Sequence, residues 1–331
     1  MSATVALYDP AEAPALIALW NRALGGCFPL TERLWRQNVD EDPNWRRGDG
    51  LILRAADGTP IGFALMRIYR HHATNPDMAA LRDLGWIMAL VIDPLRAGCG
   101  YGGQLLHAAE SRLRAAGATR CDIGGSPGHL LPGPPSDDLR ALRFWSRHGY
   151  PPVREVSDLR RALADWSPPP VPGAITDGGW RITPGQPGQE GAFLAALSRD
   201  FPGRWRAALA DTFARGGSAE DLVELRDPAG GIAGFLATWR PEGRFLGPGL
   251  HWLPALGPCP GAIGPLGIAP TARGKGLGLA LVAGAVNLLR ERGVADCTID
   301  WVGEELLDFY AHLGFRPVRA YQRCAQKALS A

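Results

Sequence analysis

Arg273-Gly274-Lys275-Gly276-Leu277-Gly278 is the stretch of this chain whose residue types and spacing most directly prescribe chemistry. Pro265–Ile268 reads as the end of a strand, Pro270 stops it, and the glycines open a helix expected to run to Gly293, where a glycine C-cap would end it. Glycines two apart at a helix start let the backbone come close to a ligand and aim unsatisfied N–H groups at it. The helix dipole adds positive potential there. Arg273 and Lys275 bring full charges to the same mouth, and an arginine can fork onto two phosphate oxygens. Such a loop suits a pyrophosphate.

A second loop, Gly98-Cys99-Gly100-Tyr101-Gly102-Gly103, matches G-x-G-x-x-G, and Asp122 lies about 20 residues further on, as a dinucleotide fold would want. That fingerprint belongs to the first strand-to-helix turn of a parallel sheet. Here about 85 residues containing a hairpin precede it, and the twin loop breaks the pattern at Leu279, so a dinucleotide reading is set aside. The alternative that glycines merely permit a tight turn weighs more for this loop than for the one flanked by two cations.

The elements that must position these loops repeat. Trp86–Gly125 and Ala262–Trp301 share one order of features: Gly100 and Gly276, Gly117 and Gly293, Cys121 and Cys297, and Ile123 and Ile299 all stand 176 residues apart. Downstream, Arg143–Tyr150 aligns with Asp308–Phe315 at an offset of 165, so the first copy carries 11 extra residues within the proline-rich stretch Ser126–Asp137. Upstream, each copy has a short strand near Val5 or Ile182 and a helix over Ala13–Ala23 or Glu190–Asp200. Two strands then flank a turn, Leu51–Ala56 and Ile61–Met66 in one copy, Leu222–Arg226 and Ile232–Trp239 in the other. Each half is therefore expected to be a mixed α/β fold, an antiparallel hairpin feeding a strand–loop–helix–strand unit. The sequence places the boundaries at 1–165 and 180–331, joined by a proline- and glycine-rich linker over 166–179.

Composition agrees. With 331 residues the chain has room for two domains, and 43 glycines and 29 prolines fall short of the roughly 25–30% that marks low-complexity disorder. Thirty-five basic against 33 acidic residues lack the excess that a phosphate backbone demands, so no nucleic-acid partner is expected. The N-terminus carries neither a basic nor an apolar leader segment, and the longest apolar run, Trp86–Ile92, is too short to span a bilayer. A cytoplasmic protein without a membrane partner is the expectation. Six cysteines without metal-ligand spacing read as reduced thiols, and no metal is expected.

Ile268-Ala269-Pro270-Thr271-Ala272-Arg273-Gly274-Lys275-Gly276-Leu277-Gly278, followed by Phe309-Tyr310-Ala311-His312-Leu313-Gly314-Phe315, resembles the acetyl-CoA motif and the aromatic-Tyr-x-x-x-Gly-Phe motif of the GNAT superfamily of N-acetyltransferases. The resemblance covers both halves and implies two tandem acyl-CoA N-acyltransferase folds, each a mixed, mostly antiparallel sheet flanked by helices. It implies that the backbone at Leu266 and Ile268 faces the pantetheine and the acetyl carbonyl, that Arg273–Gly278 holds the pyrophosphate of acetyl-CoA, and that Tyr310 protonates the departing thiolate. A phenol with an ordinary pKa of about 10 can act as acid toward a thiolate, and a backbone N–H can stabilise the oxyanion. Against this, Leu306, Tyr310 and Leu313 form a helical stripe that could place the ring in a core.

The first copy departs at both positions. Ala97 stands where the motif has arginine, with Arg96 one residue early, and Trp145 stands where it has tyrosine, so the first half is expected to be catalytically degenerate, binding CoA at most through Gly98, Gly100 and Gly102. No glutamate precedes Pro270, which leaves Asp300 as the nearest carboxylate for a general base. Glu304 and Glu305 read as first-turn helix residues. Trp301, Trp252 and Asp300 are candidates for a sugar platform, since aromatics stack on sugar faces while carboxylates orient hydroxyls or an ammonium, and His251 is a candidate for substrate contact although a lone loop histidine is usually only exposed.

The acceptor expected from these features is a small primary amine. Gly128–Pro135 and Ile299-Asp300-Trp301 resemble segments of bacterial tandem acetyltransferases associated with glucosamine and cell-wall amino sugars. Mycothiol synthases are an alternative tandem branch, but their Asn-x-x-Ala pattern is replaced here by Gly303 and Leu306. A non-catalytic acyl-CoA sensor is the remaining reading. Two pseudo-equivalent domains already supply the pairing that single-domain relatives reach by dimerising, so the expected state is a monomer or a homodimer.

Overall fold

The computed structural model describes residues 3–71 and 76–329. Its strands are β1 (Thr4–Leu7), β2 (Gly50–Arg54), β3 (Pro60–Ile68), β4 (Leu84–Ile92), β5 (Arg120–Ile123), β6 (Pro152–Ala162), β7 (Arg181–Pro184), β8 (Leu222–Arg226), β9 (Ile232–Trp239), β10 (Pro260–Ile268), β11 (Asp296–Gly303), β12 (Arg316–Cys324) and β13 (Lys327–Ala328). They form a six-stranded sheet ordered β1-β2-β3-β4-β5-β13 and a seven-stranded sheet ordered β12-β6-β11-β10-β9-β8-β7. Each is antiparallel through its hairpins, and one parallel pair, β4 with β5 or β10 with β11, brackets a crossover helix. Two mixed, mostly antiparallel sheets flanked by helices are what the sequence reading calls for.

The repeat holds at the level of register. The parallel pairing ends at Ile87 with Ile123 in one sheet and at Ile263 with Ile299 in the other, positions 176 residues apart. Immediately beyond, β4 and β10 each carry a register shift against their antiparallel neighbours. A bulge re-aims the strand, so the parallel partners separate and leave a wedge between them. In β10 this passage includes the Gly264–Pro265 cis peptide.

The crossover helices, Tyr101–Ala115 and Leu277–Glu291, each have 15 residues and bury matching stripes, Leu105, Leu106, Ala109 and Leu113 in one and Leu281, Val282, Ala285 and Leu289 in the other. Each buried leucine contributes about 1.5–3 kcal/mol through removal from water. Both helices stop at a glycine of positive φ, Gly117 (92°) and Gly293 (85°). The next residue's N–H, on Ala118 or Val294, returns to the carbonyl of Leu113 or Leu289.

Two compact units result: Met1–Val156 with Ala320–Ala331, and Ser157–Arg319. The sequence places the boundary at 165/166; in the structure the divisions fall inside β6 and β12, because each half's last strand is built into the sheet of the other unit. Leu329 N–H bonds Thr119 O and Leu163 N–H bonds Ala295 O, and since Thr119 and Ala295 are equivalent, so are Leu329 and Leu163. Periodicity cannot reveal which sheet receives a terminal strand. The stretch expected as a linker packs on the second unit: Trp166 is buried and donates to Asn287 Oδ1 (2.6 Å), and Ala174 and Ile175 lie against its core. Among the described residues no helix is long and apolar enough to cross a membrane.

Candidate active site

In the second unit, the wedge between β10 and β11 presents main chain first. Ala269 N–H bonds Ala233 O of β9 (2.8 Å). Amides alternate in direction along an antiparallel strand, so the N–H groups of Leu266 and Ile268 point the other way, toward the side that β11 has left. Leu266 and Ile268 stand opposite Leu236 and Gly234 in this register.

The glycine loop closes one end of the wedge. Gly274 and Gly276 both have φ of 74°, Gly276 is the N-cap of Leu277–Glu291, and a side chain at either glycine would strain the backbone. The N–H groups of the first helical turn thus have no side-chain cap. Arg273 Nε donates to Ile268 O (3.0 Å), which ties the loop to the strand end, and its terminal nitrogens have no partner among the described residues. Lys275 Nζ donates to Thr271 O (3.0 Å) and lies 5.1 Å from the Trp180 ring centroid. Both side chains are exposed. Flexible cations, open amides and positive helix potential together fit a pyrophosphate.

Tyr310 sits on the short helix Leu307–Ala311. Its ring is 6% exposed and makes edge contacts with Phe309 (4.9 Å) and Phe315 (6.1 Å). Phe309 in turn packs where Gly278 leaves space: a Cβ there would lie 3.4 Å from the ring, so loop helix and tyrosine helix are registered against each other. The phenol makes no hydrogen bond among the described residues, and burial alone pushes its pKa up to about 12. The helical stripe is incomplete: Leu313 is buried, but Leu306 is exposed. Glu304 and Glu305 lie in a 3-10 turn ahead of the helix, on its N-terminal side.

Asp300 and Trp301 are half-buried on β11, one and two residues past its last pairing with β10. Trp301 has φ of 53°, Asp158 Oδ1 lies 3.4 Å from its N–H, and the Arg204 guanidinium lies 4.7 Å from its ring centroid. His251 and Trp252 are both buried, 6.2 Å apart edge to face, in a loop whose Gly249 O accepts from Thr298 Oγ1 (2.8 Å). A loop histidine is ordinarily exposed, and His251 is not, because this loop lies over the paired ends of β10 and β11. Asp158 and Arg204 escaped the sequence reading. The first lies in a strand assigned to the other half, and the second opens a helix, Arg204–Ala214, that carries no motif.

The first unit repeats the backbone with different side chains. Gly98 (φ 85°) and Gly100 (φ 83°) match Gly274 and Gly276, and Gly102 lies against Phe144 as Gly278 lies against Phe309. Trp145 replaces Tyr310, buried and edge-on to Phe144 at 5.1 Å. In the first unit a cleft opens at this wedge, walled by Met88, Leu90, Ile123, Leu131, Pro134 and Trp145, with Leu131 and Pro134 supplied by the proline-rich insertion.

Comparisons with known proteins bear on the family and the fold. A model described as the acetyltransferase (GNAT) family matches residues 17–150 and 192–315. The mycothiol acetyltransferase of Pseudarthrobacter chlorophenolicus is 28% identical over 301 residues, 84% of this chain and 85% of that protein. The mycothiol acetyltransferase of Salinispora arenicola is 31% identical over 279 residues, 80% of this chain and 77% of its own length. Among solved structures, a glucosamine N-acetyltransferase region of a fungal multi-domain β-N-acetylglucosaminidase is similar with a TM-score of 0.86 and 25% identity over 98% of this chain. The chain spans 38% of that fungal protein. A tandem GNAT protein from the clavulanic acid biosynthesis pathway shares the fold, with a TM-score of 0.69 and 15% identity over 100% of this chain and 99% of its own.

Proposed function

The chain belongs to the GNAT acetyltransferase family and is an N-acetyltransferase, and from that premise we propose that its second unit moves an acetyl group from acetyl-CoA to a primary amine of a small molecule, with an amino sugar such as glucosamine as the acceptor. The observation that carries this reading is the coincidence in one unit of a cationic glycine loop, two outward-facing strand amides and a buried phenol without a hydrogen-bond partner.

The roles follow from the groups. Amides of the first turn of Leu277–Glu291, with Arg273 and Lys275, hold the pyrophosphate, while Gly274, Gly276 and Gly278 keep side chains out of its way. Leu266 N–H faces the acetyl carbonyl and stabilises the negative charge that grows on its oxygen as the amine attacks. Tyr310 keeps its proton across the neutral range and delivers it to the sulfur that leaves. Its pKa lies above that of an ordinary thiol, and burial acts on a thiolate in the same surroundings in the same direction, which offsets the widening that the tyrosine's own shift would bring. Asp300 accepts the proton that the amine loses, and Trp301 walls the acceptor side, whereas His251 and Trp252, buried beneath their loop, offer an acceptor almost no surface.

Similarity to a glucosamine N-acetyltransferase region supports the amino-sugar acceptor. Similarity to mycothiol acetyltransferases favours a second reading, an acceptor of the mycothiol type. Incubation with acetyl-CoA and a panel of glucosamine, other amino sugars, amino acids, polyamines and a mycothiol-type precursor, followed by free-thiol release, tests both. Turnover with glucosamine above the other amines supports the first. Turnover with the mycothiol-type precursor alone replaces it with the second, and stabilisation by CoA without thiol release from any amine makes the protein a sensor.

A further inference from the structure

Among the described residues only Cys259 and Trp301 combine a side chain with positive φ. Left-handed backbone is steeply unfavourable for a bulky L-residue, and its presence calls for a reason. The first unit supplies the comparison. Its residue at the same position, 176 earlier, is Gly125, with φ of 58° against 53° for Trp301. The turn off the end of the parallel pair therefore demands left-handed backbone in both units, and only the first fills it with the residue suited to it.

The two units also satisfy the amide at this position differently. Gly125 N–H donates to Leu131 O of the proline-rich insertion (2.9 Å). The second unit lacks the insertion, and Trp301 N–H points at Asp158 Oδ1 instead, 3.4 Å away on a carboxylate that is 8% exposed. Asp158 corresponds to Cys324 in the first unit, by the equivalence of Leu163 with Leu329, so this acceptor has no counterpart there. Arg319 lies 3.9 Å from the other carboxylate oxygen, and Arg204 covers part of the indole.

We infer that Trp301 is held in a conformation suited to glycine in order to present its half-exposed indole to the acceptor, that it determines selectivity for amines borne on a compact ring with a C–H face, and that Asp158 is a positioning residue acting through it. This deepens the proposed function and rests on the reading that the second unit is the catalytic one. Its location carries the inference: Trp301 lies two residues beyond Ile299, the last residue of β11 paired with β10, just where β10 runs on into Leu266 and Ile268 without β11 beside it. An aromatic surface offers stacking to a ring face and little to a linear polyamine.

The test is steady-state kinetics with the full chain, using acetyl-CoA, the best cyclic amine of the panel and a linear diamine. Trp301→Gly suits the backbone, so it should fold with a melting temperature no lower than the parent, while the KM for the cyclic amine rises about tenfold. The KM for acetyl-CoA stays unchanged and the preference over the diamine shrinks. Trp301→Phe should restore most of the preference, and Asp158→Asn should move the cyclic-amine KM the same way by a smaller factor. A lower melting temperature in Trp301→Gly together with an unaltered cyclic-amine KM would overturn the inference and make Trp301 a packing residue. If the parent protein turns over no amine, the proposed function itself falls; if it does and Trp301→Gly behaves like the parent, only this inference falls.

Discussion

Gly98 and Gly100 in the first unit take the same left-handed backbone as Gly274 and Gly276 in the second, and each pair opens a 15-residue helix. Around that shared geometry the side chains diverge. Where the second unit has Arg273, Tyr310 and Trp301, the first has Ala97, Trp145 and Gly125. Glycines at turns and aromatics over Gly102 and Gly278 persist in both units as parts of the shared fold, whereas an arginine at the motif position and the phenol stand in one. Anchoring diverges as well. In the first unit Arg323 is buried, donates to Asp122 Oδ2 (2.7 Å) and Ile123 O, and also bonds Pro132 O in the insertion. The equivalent pair in the second unit is Ser157 and Thr298, both buried and uncharged.

The largest expected effect is catalytic. Tyr310→Phe should lower kcat about 10²–10⁴-fold with little change in the acetyl-CoA KM, while Trp145→Phe leaves kcat within about twofold; thiol-release kinetics on both variants decide whether the phenol marks the working unit. Equal losses would break the comparison. Arg323→Ala should destabilise the first unit by about 3–5 kcal/mol, since it strands the Asp122 carboxylate in a buried site. Burial already raises the pKa of Asp122 despite its arginine, so protonation could soften that loss, and denaturant unfolding of Arg323→Ala beside the Asp122→Asn, Arg323→Ala pair measures by how much.

Smaller effects sharpen the contrast between the loops. Arg273→Ala should raise the acetyl-CoA KM about tenfold, the loss expected for one charge-assisted hydrogen bond, whereas Arg96→Ala in the first unit changes it little. The finest test is pH. Burial places the Tyr310 pKa near 12 against about 10 when unfolded, so below pH 10 the residue is protonated in both states and its titration leaves stability and activity alone. Between pH 10 and 12 the unfolded state alone releases this proton, and stability falls as pH rises. In Tyr310→Phe that component of the alkaline slope should vanish from thermal unfolding curves.

Much of the backbone geometry around the candidate site was legible in the sequence. Glycines at fixed spacing have few conformations to choose from, and Gly274 and Gly276 took the positive φ that their residue type permits. Alternating apolar runs bounded by turn residues located Leu222–Arg226 and Ile232–Trp239 to the residue. His251 shows where that legibility stops, because burial of a loop depends on which strands lie beneath it.

The sequence by itself determined the repeat, the mixed α/β class, the left-handed glycine loops and the imbalance between Tyr310 and Trp145, since each rests on local backbone preference or on side-chain identity. Only the tertiary structure decided that the terminal strand of each half completes the other unit's sheet, that Asp158 stands beside Trp301 across 143 residues of chain, and that a tryptophan occupies a glycine's backbone conformation. Those facts depend on long-range pairing between strands, and in a linear sequence a strand's hydrophobic pattern does not specify which neighbour it will meet.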